Sequence, residues 1–216
     1  MLRIVVTGGG GQLATAIERL SKWSNNTYHI TTIEEMDICS KESVERGLCD
    51  ADIVVNCAAY TNVEGAENNV DETRRVNRDG VANIAMICQK HGIKLIHIST
   101  DFVFGGDNSR TTPYIESDAT APINVYGATK AEGEAEALKS PKAIILRTSW
   151  LYAPWGKNFV NTILTRAKQG AELKVVDDQR GTPTSALGLA EAIIRIIESG
   201  AWQTMEGIYH YSDLGD

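Results

Sequence analysis

A chain of 216 residues with 43% hydrophobic and 23% charged side chains has the length and balance of one soluble globular domain with a real core. Its net charge of −7 argues against general nucleic-acid binding, which needs a basic face. No run approaches the ~18 uninterrupted apolar residues of a membrane span, and the N-terminus lacks the apolar stretch and cleavage site of a secretory signal.

In chain order, "LRIVVT" reads as a buried strand, a glycine cluster follows at Gly8 to Gly11, and "QLATAIERLSKW" has helical periodicity. "YHITTI" reads as a second strand, "KESVERGL" as a helix capped by Ser40, and "DIVVNCAA" as a third, buried strand. Residues 69 to 90 carry one long helical pattern, stopped by Gly92 after His91. "IKLIHIST" is a fourth strand, and residues 101 to 122 are loop-like, with Gly105, Gly106, Pro113 and Pro122. A helix opens near Tyr126. Then come a strand "AIILRTS", a helix near "NFVNTILTRAKQG", a strand "LKVVDD", a helix "ALGLAEAIIRIIES" and the short "GIYHYS". Alternating strands and helices predict an α/β fold, a doubly wound parallel sheet with helices on both faces.

Cys39, Cys49, Cys57 and Cys88 are widely spaced, with no CxxC pair, which fits a reducing cytoplasm. His29, His91, His97 and His210 show no metal spacing, and His97 reads as a strand residue.

Between the first strand and first helix, "VTGGGGQLA" places Gly8, Gly11 and Ala14 at the spacing G-x-x-G-x-x-A. Glycines there allow a tight turn and close approach of a pyrophosphate, and the helix start supplies free N–H groups and a partial positive charge. Gly8, Gly11, Gln12 and Leu13 are therefore expected to bind a dinucleotide, with Ala14 packing helix on strand. A ribose-binding acid is not evident at the end of the second strand. Thr32 or Ile33 stands there, with Glu34 nearby, which leaves NADH and NADPH both open. Asp37 and Ile38 are expected to flank the adenine.

The runs "GGGGQLA", "NCAAYTNVEGAE", "STDFVFGG", "PYIESDATAPINVYGATKAEGE", "RTSWLYA", "KNFV" and "DDQRGTPT" occur in this order along nearly the whole chain. Together they resemble the extended short-chain dehydrogenase/reductase superfamily and, within it, the dTDP-4-dehydrorhamnose reductases. The resemblance implies a Rossmann-type cofactor domain over residues 1–150 and a partial substrate-binding region over 151–216, interleaved with the last strands and helices of the sheet. It implies reduction of the C4 ketone of a dTDP-linked 6-deoxy-4-ketosugar with NADPH or NADH, giving dTDP-L-rhamnose, in the cytoplasm. A dTDP-sugar is the implied partner; a homodimer and bound Mg²⁺ remain open, with no motif to locate the metal.

Hydride delivery to a ketone places charge on oxygen, so a proton must arrive there. Tyr126 is the expected donor. Lys130, one helical turn on, shares its face and is expected to lower the phenol's pKa. Thr100, at a strand end, completes the catalytic set. Ala58, Ala59 and Tyr60 are expected along the cofactor, and Thr61, Asp101, Phe102, Trp150, Asn158, Gln179 and Arg180 on the substrate side, with Lys157 or Arg180 offsetting diphosphate charge. Phe102 stands where the family usually has tyrosine, removing one hydroxyl from the pocket. Family members usually continue past this chain's Asp216 into a largely helical stretch, so "ALGLAEAIIRII" is expected to expose apolar surface. Rival readings are another nucleotide-sugar epimerase, dehydratase or reductase of the superfamily, and a non-catalytic NADP-binding regulatory subunit.

Overall fold

The computed structural model describes residues 1–107, 109–175 and 179–214. Its strands are short, β-branched runs: β1 (Arg3–Thr7), β2 (Thr27–Ile30), β3 (Ile53–Asn56), β4 (Lys94–Thr100) and β5 (Ile144–Thr148). Between them run α1 (Gln12–Leu20), α2 (Lys41–Leu48), α3 (Val63–Asn68), α4 (Val70–Arg74), α5 (Gly80–His91) and α6 (Val125–Ala137). Strands β6 (Leu151–Tyr152) and β7 (Thr184–Ser185), helices α7 (Phe159–Lys168) and α8 (Ala186–Glu198) and strand β8 (Gly207–His210) complete the chain.

Among the described residues, six strands form a parallel sheet in the order β2-β1-β3-β4-β5-β8, and β6 and β7 make a separate parallel pair. The doubly wound fold read from the sequence is therefore present. Strands β3, β4 and β5 are buried almost throughout, because helices cover both faces. One core joins α1 and α8 to Ile4, Val6, Ile53, Ile96 and Ile144. The other joins α2 and α5 to Val5, Val54, Leu95 and Ile145. The chain leaves β1 toward β2 on one side and returns to β3 on the other, and ligands of such sheets bind at that switch point, beyond the carboxyl ends of the strands.

Three expectations need correction. The long helix at 69–90 is not uniform: α4 passes through a π-helical turn at Arg75–Asp79 into α5, which Gly92 closes at φ 72° as expected. Residues 173–175 form no strand, and Val176, Asp177 and Asp178 lie outside the described residues. Helix α8 does not expose its apolar face. It packs along α1 and buries Leu189, Ala190, Ile193, Ile194 and Ile197. The exposed apolar helix is α7, which buries no residue and leaves Phe159, Val160 and Leu164 open.

Candidate active site

The glycine turn is shaped by contact between two loops. Gly8 has φ +77°, and a Cβ there would meet the Ala58 amide nitrogen at 2.9 Å, so both conformation and space demand glycine. The Gly9 N–H donates to the Thr31 carbonyl at 2.9 Å, which ties the turn to the end of β2. Helix α1 starts at Gln12 after Gly11 with no side-chain cap and no acidic residue in its first turn, so its leading N–H groups remain free for an anion. Ala14 is fully buried, as the spacing predicts. Gly8 and Gly11 thus meet Cys57 and Ala58 beyond the carboxyl ends of the paired strands β1 and β3, at the switch point.

Two of the expected cofactor residues have buried side chains. Leu13 and Ile38 are core residues, 4% and 5% exposed, and Ile38 packs under Gly80. Asp37 turns one carboxylate oxygen back to the Cys39 N–H at 2.8 Å. At the end of β2, Thr32 donates its N–H to Glu35, while Glu34 is exposed.

A polar chain the sequence reading did not foresee joins the strand ends. The Ala58 N–H donates to Thr7 Oγ1 at 3.0 Å, Thr7 donates to Asn56 Oδ1 at 2.6 Å, and Asn56 Nδ2 lies 3.1 Å from His97 Nδ1. His97 is a fully buried strand residue, and burial together with the Lys130 charge keeps its imidazole neutral, well below the usual range.

Tyr126, Lys130 and Thr100 come together where α6 crosses the end of β4. The Thr100 hydroxyl donates to Asp101 at 3.0 Å and accepts the Phe102 N–H at 3.2 Å. Phe102 sets its ring edge-on to Tyr126, with centroids 5.6 Å apart. Burial pushes the Tyr126 phenol up to about 12; a hydrogen bond with Thr100 opposes this and the Asp101 charge adds to it. Burial also raises the Asp101 carboxyl. The expected downward shift of the phenol is therefore reversed. The Lys130 ammonium is turned to the Ile98 carbonyl, at 2.6 Å, and burial lowers its own pKa to about 8. Burial thus favours the neutral form of both side chains.

Close helix packing makes this possible. A Cβ on Gly127 would fall 2.0 Å from the Phe102 carbonyl oxygen, and one on Gly133 would fall 2.2 Å from that of Asn77. The π turn presents Asn77, which holds the Tyr60 backbone at both N–H and C=O and reaches Thr129 on α6. Such turns gather at functional sites, and nothing in the helical pattern marked this one.

The expected substrate-side residues are more dispersed. Thr61, Gln179 and Arg180 are exposed, as is Lys157. Trp150 is 41% exposed, adopts φ 46°, rare for a bulky residue, and lays its indole on Gly181. Asn158 is occupied structurally: it caps α7 by accepting the Asn161 N–H, and its amide donates to Gln12 and to the Ala153 carbonyl. The bond to Gln12 carries the 153–158 loop onto the start of α1, and Arg19 in the last turn of that helix covers the Trp155 ring. Among the described residues, no cluster of three His, Cys, Asp or Glu side chains could hold a metal, so Mg²⁺ has no located site there. Among them too, no helix is long and apolar enough to cross a membrane.

The family profile described as "RmlD substrate binding domain" matches residues 2–216. A dTDP-4-dehydrorhamnose reductase of Sinorhizobium fredii is 40% identical, over 100% of this chain and 74% of its own. That of Mycobacterium tuberculosis (strain ATCC 25618 / H37Rv) is 39% identical, over 92% of this chain and 66% of its own. A crystal structure of dTDP-4-dehydrorhamnose reductase from Bacillus anthracis in complex with NADP superposes with TM-score 0.92 at 36% identity, covering 100% of this chain and 76% of that one. The chain thus spans about two thirds to three quarters of the length of the relatives it matches.

Proposed function

We propose, from the premise that this chain belongs to the RmlD substrate binding domain family, that it binds NADPH or NADH and reduces the C4 ketone of dTDP-4-dehydro-6-deoxy-L-mannose to give dTDP-L-rhamnose. The observation that carries this reading is the meeting of Thr100, Tyr126 and Lys130 at the end of β4, on the side where the Gly8 turn and Ala58 face the switch point. The free first turn of α1 and the small residues at Ala58 and Ala59 suit a dinucleotide, and its pyrophosphate would lie on the N–H groups after Gly11. When bound, the reduced nicotinamide supplies the hydride.

The protein's own residues supply the rest. Tyr126, protonated at neutral pH, donates the proton to the developing alkoxide. Thr100 shares a hydrogen bond with the phenol and orients it. Lys130, when charged, stabilises the phenolate left behind. Asp101, Phe102 and Trp150 border the sugar, with Thr61, Gln179 and Arg180 farther out toward the nucleotide; Asn158 acts by holding the 153–158 loop against Gln12. Residues 1–150 serve the cofactor and 151–216 the substrate, with α8 and β8 returning to the shared sheet. The free thiols of Cys39, Cys49, Cys57 and Cys88 suit a cytoplasmic setting.

The test follows loss of reduced-nicotinamide absorbance with the dTDP-6-deoxy-4-ketosugar, beside nucleotide binding by fluorescence. Turnover that drops ~10²–10⁴-fold in Tyr126→Phe, with nucleotide binding retained, is expected. Equal turnover in both proteins would remove Tyr126 from the chemistry. Nucleotide binding without any turnover would favour the regulatory reading.

A further inference from the structure

Two side chains of α6, one turn apart, grip consecutive residues of β4. Lys130 Nζ donates to the Ile98 carbonyl at 2.6 Å, and Ser99 Oγ donates to Glu134 Oε1 at 2.5 Å. Thr100 is the next residue along the strand. The same carboxylate is held in a bidentate clasp by Arg147, with Nε to Oε1 at 2.8 Å and Nη2 to Oε2 at 2.7 Å. Arg147 is the register partner of Ser99 on β5, so the carboxylate bridges the two strands at one level of the sheet. Lys130, Glu134, Ser99 and Arg147 are each at most 4% exposed.

We propose that Glu134 is the positioning residue for Lys130: fixed by Arg147 and Ser99, its buried carboxylate holds the neighbouring ammonium in the charged form that the proton transfer from Tyr126 requires. This rests on the catalytic reading of Lys130 given above. A buried ammonium in apolar surroundings sheds its proton readily, and an adjacent anion opposes that. The groups facing Lys130 divide cleanly. Tyr126 on α6 is a neutral phenol, and the Cys57 thiol at the end of β3 is pushed up to about 12 by burial. His97 on β4 is neutral. Glu134 is the charge that most opposes burial at the lysine, holding its pKa up. Arg147 is itself bounded by the Phe104 ring at 5.0 Å and by His210 on β8, whose N–H donates to Glu116.

The test is a pH titration of the intact protein labelled with [¹³Cε]lysine, followed by NMR, with the Lys130 resonance assigned by its loss in Lys130→Met. The wild-type inflection is expected near 8. Glu134→Gln is expected to lower it by about one pH unit or more. Because that change leaves Arg147 unpaired, Glu134→Gln/Arg147→Met is measured beside it, a neutral pair that keeps the core filled. A smaller fall in the same direction is expected there, because the Arg147 charge leaves with the carboxylate, and Glu134→Asp is expected to keep the inflection near that of the wild type. An unmoved inflection in the folded double variant would overturn the proposal and leave the pair a strand-to-helix tie. The titration reads the coupling whether or not the protein turns over, so a failure of the reductase assay remains a separate result.

Discussion

Helices α6 and α7 both start at an asparagine whose side-chain oxygen accepts a first-turn N–H, Asn124 from Gly127 at 2.7 Å and Asn158 from Asn161 at 2.9 Å. Their later surroundings are opposite. Helix α6, "VYGATKAEGEAEA", has few large apolar residues, yet it buries Gly127, Thr129, Lys130, Gly133, Glu134 and Ala137. Helix α7, "FVNTILTRAK", carries an apolar stripe and buries nothing. Amphipathic pattern alone would have reversed the two. Small residues let α6 approach backbone closely enough to satisfy its charges with Ile98, Ser99 and Arg147, whereas no described element covers the stripe of α7.

The largest effects are expected from breaking the charge clasp of α6. Arg147→Met alone leaves a buried carboxylate unpaired and should cost about 3–5 kcal/mol, read by denaturant unfolding. An effect below ~1 kcal/mol would mean that water reaches the carboxylate. Lys130→Met is expected to act in the other direction, raising stability at pH 7 by about 1–3 kcal/mol. Burial lowers the folded-state pKa from 10.5 to about 8, so the unfolded chain holds this proton more tightly. Wild-type stability should therefore climb as pH rises from about 8 to 10.5, and the gap to Lys130→Met should close across that window. A gap constant with pH would mean that the lysine is not desolvated. Gly133→Ala, which drives a methyl onto the Asn77 carbonyl, should cost about 1–3 kcal/mol in thermal melts. Asn124→Ala and Asn158→Ala should each cost about 1 kcal/mol as caps; a much larger cost for Asn158 would credit its bond to Gln12. Leu164→Ser on α7 should change stability by less than ~0.5 kcal/mol, and a larger loss would show that its stripe is covered in solution.

Much of the fold was legible because its signals are local. The β-branched runs of β1 to β5, the Ser40 cap and the stop at Gly92 each depend on a few neighbouring residues, and each is found where the pattern puts it. The glycine spacing likewise foretold a turn, though not its reason, which is the Ala58 amide in the loop that follows β3. The π turn escaped because its residues fit an ordinary helix, and it is Asn77's hold on Tyr60 and Thr129 that gives the extra residue a purpose.

By itself the sequence determined most strands and helices of the sheet, its doubly wound arrangement, and the candidates Thr100, Tyr126 and Lys130, since composition, period and motif spacing are properties of the chain. Tertiary structure alone decided how those candidates are charged. Whether Tyr126 keeps its proton and Lys130 sits near its titration point depends on water removed by β3, β4 and β5 and on Glu134 held by Arg147. Desolvation and pairing are made by residues distant in sequence, so no local pattern encodes their sign.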